Sequence, residues 1–418
     1  MKKKGNLVRV LALVLSMSVL LMTGCGKDSI TGYDANNGLS VEQMIQDKLN
    51  SYVDEETGEV IILDEGERIP EQILKDMTLE EKVYQMFIVT PEALTGYDVV
   101  NASTSITRGW LEKYPVGGLI YFADNIQNRK QTEEMLKNTT ASAMELQEMP
   151  LFLCVDEEGG SVARVANNSN MGVTNVGPMK DIADEKAAKE AGTTIGTYLK
   201  ELGFNVDMAP VVDVITNEQN TVIGDRSFGS DPAVVEAYGE AYSDGLHSQG
   251  ILSTYKHFPG HGATEGDTHE GYAYTNKTYE ELKEAELVPF AKAERDGADM
   301  VMVAHIAVPN ITGDNTPCTL SYQMVTEVLK NDLSYEGIII TDAMNMKAIT
   351  DNYSSGEAAV KAISAGVDIV LMPEDFEEAV KAVLEAVEKG EITEARIDES
   401  VLKIIKKKFK IKTAAEAN

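Results

Sequence analysis

Three of the chain's five histidines fall within "YKHFPGHGATEGDTHEG", residues 255–271, among four glycines and several carboxylates. His257, His261 and His269 stand at spacings of four and eight, enough ligands in number for a metal site. Neither an H-E-x-x-H nor a cysteine-pair signature accompanies them, and Pro259 keeps His257 and His261 off a common helix face. A second reading is proton transfer. Asp267 precedes His269 by two residues, so its carboxylate can orient an imidazole whose free pKa of about 6.5 suits donating and recovering a proton near neutrality. In a third reading the stretch is a flexible Gly-rich loop and its histidines are incidental.

Other reactive side chains stand at the ends of apolar runs. "LFLCV" leads into Asp156, "ILSTY" into Lys256 and His257, "MVMVA" into His305, and "GIIIT" into Asp342. Asp342, flanked by Met344 and Met346, is placed to attack an electrophilic carbon or stabilise a cation; capping the next helix is the competing job for an Asp in this position. The elements that must hold these residues alternate from residue 71 onward. Strand-like runs are "QMFIVT", "VGGLIYF", "LFLCVD", "FNVDMAPVVDV", "ILSTYKHF", "ADMVMVAH", "GIIITDA" and "GVDIVLMP". Between them lie helix-periodic stretches such as "RKQTEEMLKNTTASAMELQ", "TYEELKEAELVPFAKAERDG" and "SYQMVTEVLKNDL". Apolar strands each followed by a crossover helix predict an α/β fold, a (β/α)8 barrel of TIM type, as a single catalytic domain over residues 71–418. Chemistry at strand C-termini is where such a barrel carries its site.

The charge balance narrows the partners. With 68 acidic against 37 basic residues the formal net charge is −31, which repels nucleic acid and anionic lipid. Membrane contact is therefore expected only through an anchor. Residues 1–24 supply one: a basic start, an apolar stretch short for a transmembrane helix, and "LMTGC" before Cys25 resemble a bacterial lipoprotein signal peptide, with Met22 where Leu is commoner. The resemblance implies acylation of Cys25 and a position on the extracytoplasmic face of a bacterial membrane. Residues 25–70, rich in Asp, Glu, Asn, Gly and Ser with one helical stretch near "SVEQMIQDKL", read as an acidic tether. Cys154, inside "LFLCV", reads as a buried inert thiol.

"KHFPGHG" followed by "DTH", with "DEEGGSVAR" upstream and "TDAMNM" downstream, resembles the family 3 glycoside hydrolases, in particular their single-domain β-N-acetylhexosaminidase branch. "MTLEEKVYQMF" at residues 77–87 resembles the family's opening segment, and the likeness runs over roughly residues 70–410. It implies Asp342 as nucleophile, His269 as acid/base and Asp267 as its carboxylate partner. Asp156, Arg164, Arg226, Lys256 and His257 match positions that bind sugar hydroxyls. Ser161 and Ala343 depart from the pattern, where Arg and an acidic residue are common; neither is a position assigned to chemistry.

The resemblance implies retaining cleavage without cofactor or metal: Asp342 attacks the anomeric carbon, and His269 protonates the leaving oxygen and then deprotonates water. The glycines read as hinges that let the loop open and close. Trp110 is the only tryptophan, so a small terminal sugar suits the chain better than a polysaccharide laid along aromatic rings. The expected substrate is terminal β-linked N-acetylglucosamine on muropeptides or other peptidoglycan fragments, handled by a monomer. Two alternatives remain: a phosphorylase on the same scaffold, because a neutral His does not repel phosphate, and a lipid-anchored sugar-binding protein without turnover.

Overall fold

The computed structural model describes residues 51–53, 60–62, 69–264, 271 and 273–416. Two units are distinguished, divided between Ile69 and Pro70. In the first, within the stretch expected to be a tether, Ser51–Val53 pairs antiparallel with Val60–Ile62. The signal peptide, Cys25, and the helical stretch near residue 41 lie outside the described residues, as do Asp267 and His269.

The second unit carries the barrel. Its strands are β1 (Phe87–Val89), β2 (Gly118–Tyr121), β3 (Phe152–Val155), β4 (Val206–Asp207), β5 (Thr254–Phe258), β6 (Met300–Val303), β7 (Ile338–Thr341) and β8 (Val370–Leu371). All eight lie in the runs predicted to be strands. Parallel ladders join β8 to β1, β1 to β2, β2 to β3 and β3 to β4, and a second set joins β5 to β6 and β6 to β7. Two seams complete the ring. Val206 bridges Leu252, and Val211 bridges Lys256, across the β4–β5 gap; Ile340 bridges Ile369 between β7 and β8. The result is a (β/α)8 barrel, with strands buried on both faces because helices cover the outside.

The outer helices are α1 (Ser105–Lys113), α2 (Arg129–Gln147), α3 (Glu185–Leu202), α4 (Pro232–His247), α5 (Tyr279–Glu284), α6 (Ser355–Ala365), α7 (Phe376–Glu388) and α8 (Glu394–Glu416). Asn128, Asp184, Asp231, Ser354 and Asp375 cap their helices by accepting the backbone N–H two or three residues on. Two predicted helices differ from expectation. The segment expected to run from Thr278 to Gly297 is helical only over Tyr279–Glu284 and then proceeds in turns through Pro289, whose ring and missing N–H break the ladder. Gln323–Asp332, after β6, winds with π geometry.

A bulge shapes the site. Val301 pairs with Tyr255 but Val303 pairs with Phe258, so three steps along β5 oppose two along β6. Simple alternation would turn consecutive side chains to opposite faces, whereas Lys256 and His257 both line the central cavity. Both lie inside β5, within the run "ILSTYKHF" read as a strand.

At the N-terminal end of the barrel, α8 buries Lys408 completely. Its Nζ donates to Gln85 Oε1 at 2.7 Å and lies 5.4 Å from the centre of the Phe152 ring. No carboxylate pairs with it among the described residues. Burial pushes its pKa down to about 7 from an ordinary 10.5. Between these values the unfolded chain holds the extra proton, so stability should rise with pH across that window and the cost should be complete below it. Lys408→Met is expected to stabilise the protein at pH 7 by about 1–2 kcal/mol after the loss of Gln85's donor, with the advantage shrinking toward pH 10. Thermal unfolding of both proteins at the two pH values checks this.

Candidate active site

A cavity of about 470 Å³ opens at the C-terminal ends of the strands. Asp156, Arg164, Arg226, Lys256, His257 and Asp342 all line it. Six residues predicted from separate parts of the sequence thus share one wall, and the volume falls in the roughly 300–1,000 Å³ range of small-molecule sites.

The site is built from strand ends. Asp156 follows β3 directly, and the chain then doubles back, pairing Glu157–Gly159 with Val162–Ala163. Buried Glu157 holds this fold: its carboxylate accepts from the Val165 and Ala166 N–H groups at 2.7 and 2.8 Å and from Tyr198 OH at 2.8 Å. Arg164 is thereby returned to Asp156, 3.8 Å away, with its guanidinium over the Phe122 ring.

Behind it runs a network of buried charges. Lys256 Nζ reaches Asp156 at 2.9 Å and Glu158 at 2.6 Å. Arg226 donates twice to Glu158, through Nε at 2.7 Å and Nη2 at 2.8 Å, in the forked geometry that makes such pairs strong. Burial alone would raise Glu158; Arg226 and Lys256 outweigh it and hold the carboxyl well below the usual carboxylate range.

Asp342, directly after β7, is not a helix cap. The next helix, Lys347–Thr350, begins after Met346, and Asp342 Oδ1 instead accepts its neighbour's Ala343 N–H at 2.8 Å. Burial pushes this carboxyl up, but His257, His305, the Ala343 N–H and Lys256 together bring it below its ordinary value. The shift favours the ionised form that an attacking carboxylate needs. His305 does not line the cavity. Its Nε2 donates to Ala343 O at 2.9 Å, and its Nδ1 meets Thr319 Oγ1 at 2.7 Å, fixing the turn that carries Asp342.

The glycines of the β5 turn have a packing role. Gly260 sits at φ +128°, and a Cβ on Gly262 would come 2.1 Å from Val214 O. Gly262, read from the sequence as a hinge, is required by close approach. His261 is buried in the cavity wall, with Nδ1 2.9 Å from Thr264 Oγ1. Cys154 is buried, and burial pushes its thiol up, as expected for an inert one.

Sequence reasoning passed over Glu158 and Asp213. Glu158 stands in the quoted "DEEGG", and Asp213 ends the apolar "APVVD", the same strand-end signal used elsewhere. Among the described residues, the acidic group close enough to hold a metal is Glu236, Glu240 and Asp296, within 4.8 Å of one another; none lines the cavity, and Arg295 is paired with all three.

The glycosyl hydrolase family 3 N-terminal domain matches residues 78–407. The chain belongs to this family. It is similar to the beta-hexosaminidase A of Pseudoalteromonas piscicida, 34% identical over 327 residues that cover 72% of this chain and 54% of that protein. Among solved structures, the family 3 beta-N-acetylglucosaminidase of Paenibacillus sp. str. FPU-7 superposes with a TM-score of 0.75 at 35% identity, over 81% of this chain and 63% of that one. A beta-glucoside phosphorylase, BglX, reaches a TM-score of 0.72 at 25% identity, over 84% and 62%. The family 3 chain therefore spans between half and two thirds of the length of each.

Glu158 is the hub of the charge network. Replacing it isosterically (Glu158→Gln) leaves Arg226 buried without its partner and should destabilise the fold by about 3 kcal/mol. Denaturant unfolding at pH 7 measures the loss; a change below about 0.5 kcal/mol would contradict the assigned role.

Proposed function

We propose that this chain is a retaining β-N-acetylhexosaminidase that removes terminal β-linked N-acetylglucosamine by way of a glycosyl-Asp342 intermediate. The observation that carries the reading is the state of the cavity's acids. Asp342 accepts a single backbone N–H and its carboxyl is held below its ordinary value by His257, His305 and Lys256 against its burial, while Asp156 and Glu158 are engaged with Lys256, Arg164 and Arg226. The wall thus offers one nucleophile, and no carboxylic acid among its described residues is left to protonate a leaving group. A proton donor must come from elsewhere. The stretch beginning three residues beyond His261 holds Asp267 and His269, the types and spacing that such a donor requires.

In this mechanism Asp342 attacks the anomeric carbon as His269, oriented by Asp267, gives its proton to the departing oxygen. His269 then takes a proton from the water that releases the sugar. Asp156, Arg164, Arg226, Lys256 and His257 hold the ring's hydroxyls. The beta-hexosaminidase and beta-N-acetylglucosaminidase names of the relatives support the substrate class. Peptidoglycan fragments are the proposed source, and a lipid anchor at Cys25 the proposed attachment to the extracytoplasmic face of the cell membrane. No helix among the described residues is long and apolar enough to cross a membrane.

Wild type is expected to hydrolyse an aryl β-N-acetylglucosaminide. Asp342→Asn should lose about 10³-fold or more in kcat, and His269→Ala about 10²–10⁴-fold. Undiminished turnover in Asp342→Asn would remove the assigned nucleophile. The likeness to a phosphorylase favours a second reading, in which phosphate replaces water in the second step. Product analysis decides it: sugar 1-phosphate formed in phosphate buffer supports phosphorolysis, and free sugar at a phosphate-independent rate supports hydrolysis.

A further inference from the structure

Behind the cavity wall one carboxylate touches both histidines of the β5 turn. Asp213, wholly buried, has Oδ2 2.7 Å from His257 Nδ1, and its Oδ1 accepts the backbone N–H groups of His261 at 2.6 Å and His257 at 3.2 Å. Asp213 does not line the cavity, but His257 does. The other ring nitrogen, Nε2, lies 3.5 Å from Arg226 Nη2. That guanidinium is pinned in turn by its double contact with Glu158.

A carboxylate can only accept a hydrogen bond, and a guanidinium can only donate one. Within hydrogen-bond reach the ring therefore meets an acceptor at Nδ1 and a donor at Nε2, a pairing that favours a neutral ring with its proton on Nδ1 and the lone pair on Nε2, although the Asp342 carboxylate across the cavity pulls the other way. We propose that Asp213 is a positioning residue that locks His257 in the Nδ1–H tautomer, so that Nε2 presents an acceptor to a hydroxyl of the bound sugar. The identity of that ligand rests on the glycosidase reading; the tautomer does not. Lys256, Arg164 and Arg226 bring only donors to the cavity wall, so an imidazole acceptor lets the same wall receive a hydroxyl proton without another negative charge.

Asp213→Asn isolates this role. The amide oxygen can keep both backbone N–H groups while the amide NH₂ faces Nδ1 as a donor, which moves the ring proton to Nε2 and points it at Arg226. For an aryl β-N-acetylglucosaminide, KM should rise roughly 10- to 100-fold, the range that carboxylates orienting metal-bound histidines carry, with kcat within about 3-fold of wild type. Long-range ¹H–¹⁵N spectra of histidine-labelled protein, with His257 assigned by its loss in His257→Gln, read the tautomer directly. Protonated Nδ1 and bare Nε2 in wild type, reversed in Asp213→Asn, support the proposal. A wild-type ring protonated at Nε2 and bare at Nδ1 overturns it, as does an Asp213→Asn protein whose KM is unchanged. Should Asp213→Asn fail to fold, the wild-type spectrum decides alone. An Nδ1–H ring in a protein that does not turn over the glycoside would refute the glycosidase reading and leave the tautomer assignment standing.

Discussion

Two cations at the mouth of a barrel, Lys256 buried and Arg226 largely so, are the constraint on which the site depends. Lys256 and the Arg226 guanidinium sit where water is largely excluded, and an uncompensated charge there costs several kcal/mol. Glu158 compensates both, with Asp156 sharing Lys256. Because Asp156 and Glu158 are engaged with cations, Asp342 is the cavity-lining carboxylate left to the field of the His257 and His305 rings.

The network also ties together parts of the fold that local structure would leave independent. Asp156 and Glu158 come from the β3 end, Arg226 from the long connection after β4, and Lys256 from β5. The connection after β4 contains little regular structure, and its side of the cavity is held by polar contacts: Arg226 on Glu158, Asn220 on His261 O, and Asp213 beneath the β5 turn. A loop without helix or strand can position a binding residue only if its ends and its charge are both fixed, and here they are.

Much of this was legible in the sequence, for identifiable reasons. The eight strands were readable because a parallel sheet covered on both faces demands continuous apolar runs, and the residues ending those runs point into one space. Asp342, Asp156 and Lys256 were found on that ground. Glu158 and Asp213 were missed because their importance lies in which cation or imidazole they meet, a fact of folding across 68 and 44 residues of chain. The run "ILSTYKHF" placed Lys256 and His257 within the strand, but composition gives no sign of the β5 bulge that lets both line one cavity. The helix expected from Thr278 to Gly297 shows the opposite failure: its periodicity was real, but Pro289 overrode it locally.

The same network bears on what the cavity accepts. A neutral sugar can slip its hydroxyls into hydrogen bonds with paired charges without separating any pair, so no buried ion is left bare when water departs. An anionic ligand would have to compete with Glu158 for Arg226 or with Asp156 for Lys256, and either exchange exposes a carboxylate to the apolar surroundings. Arg164, a third exposed and 3.8 Å from its partner, is the most loosely committed cation of the wall. Under the glycosidase reading, any anionic part of a substrate therefore belongs outside the cavity, while an uncharged terminal ring occupies the place that Asp342 faces.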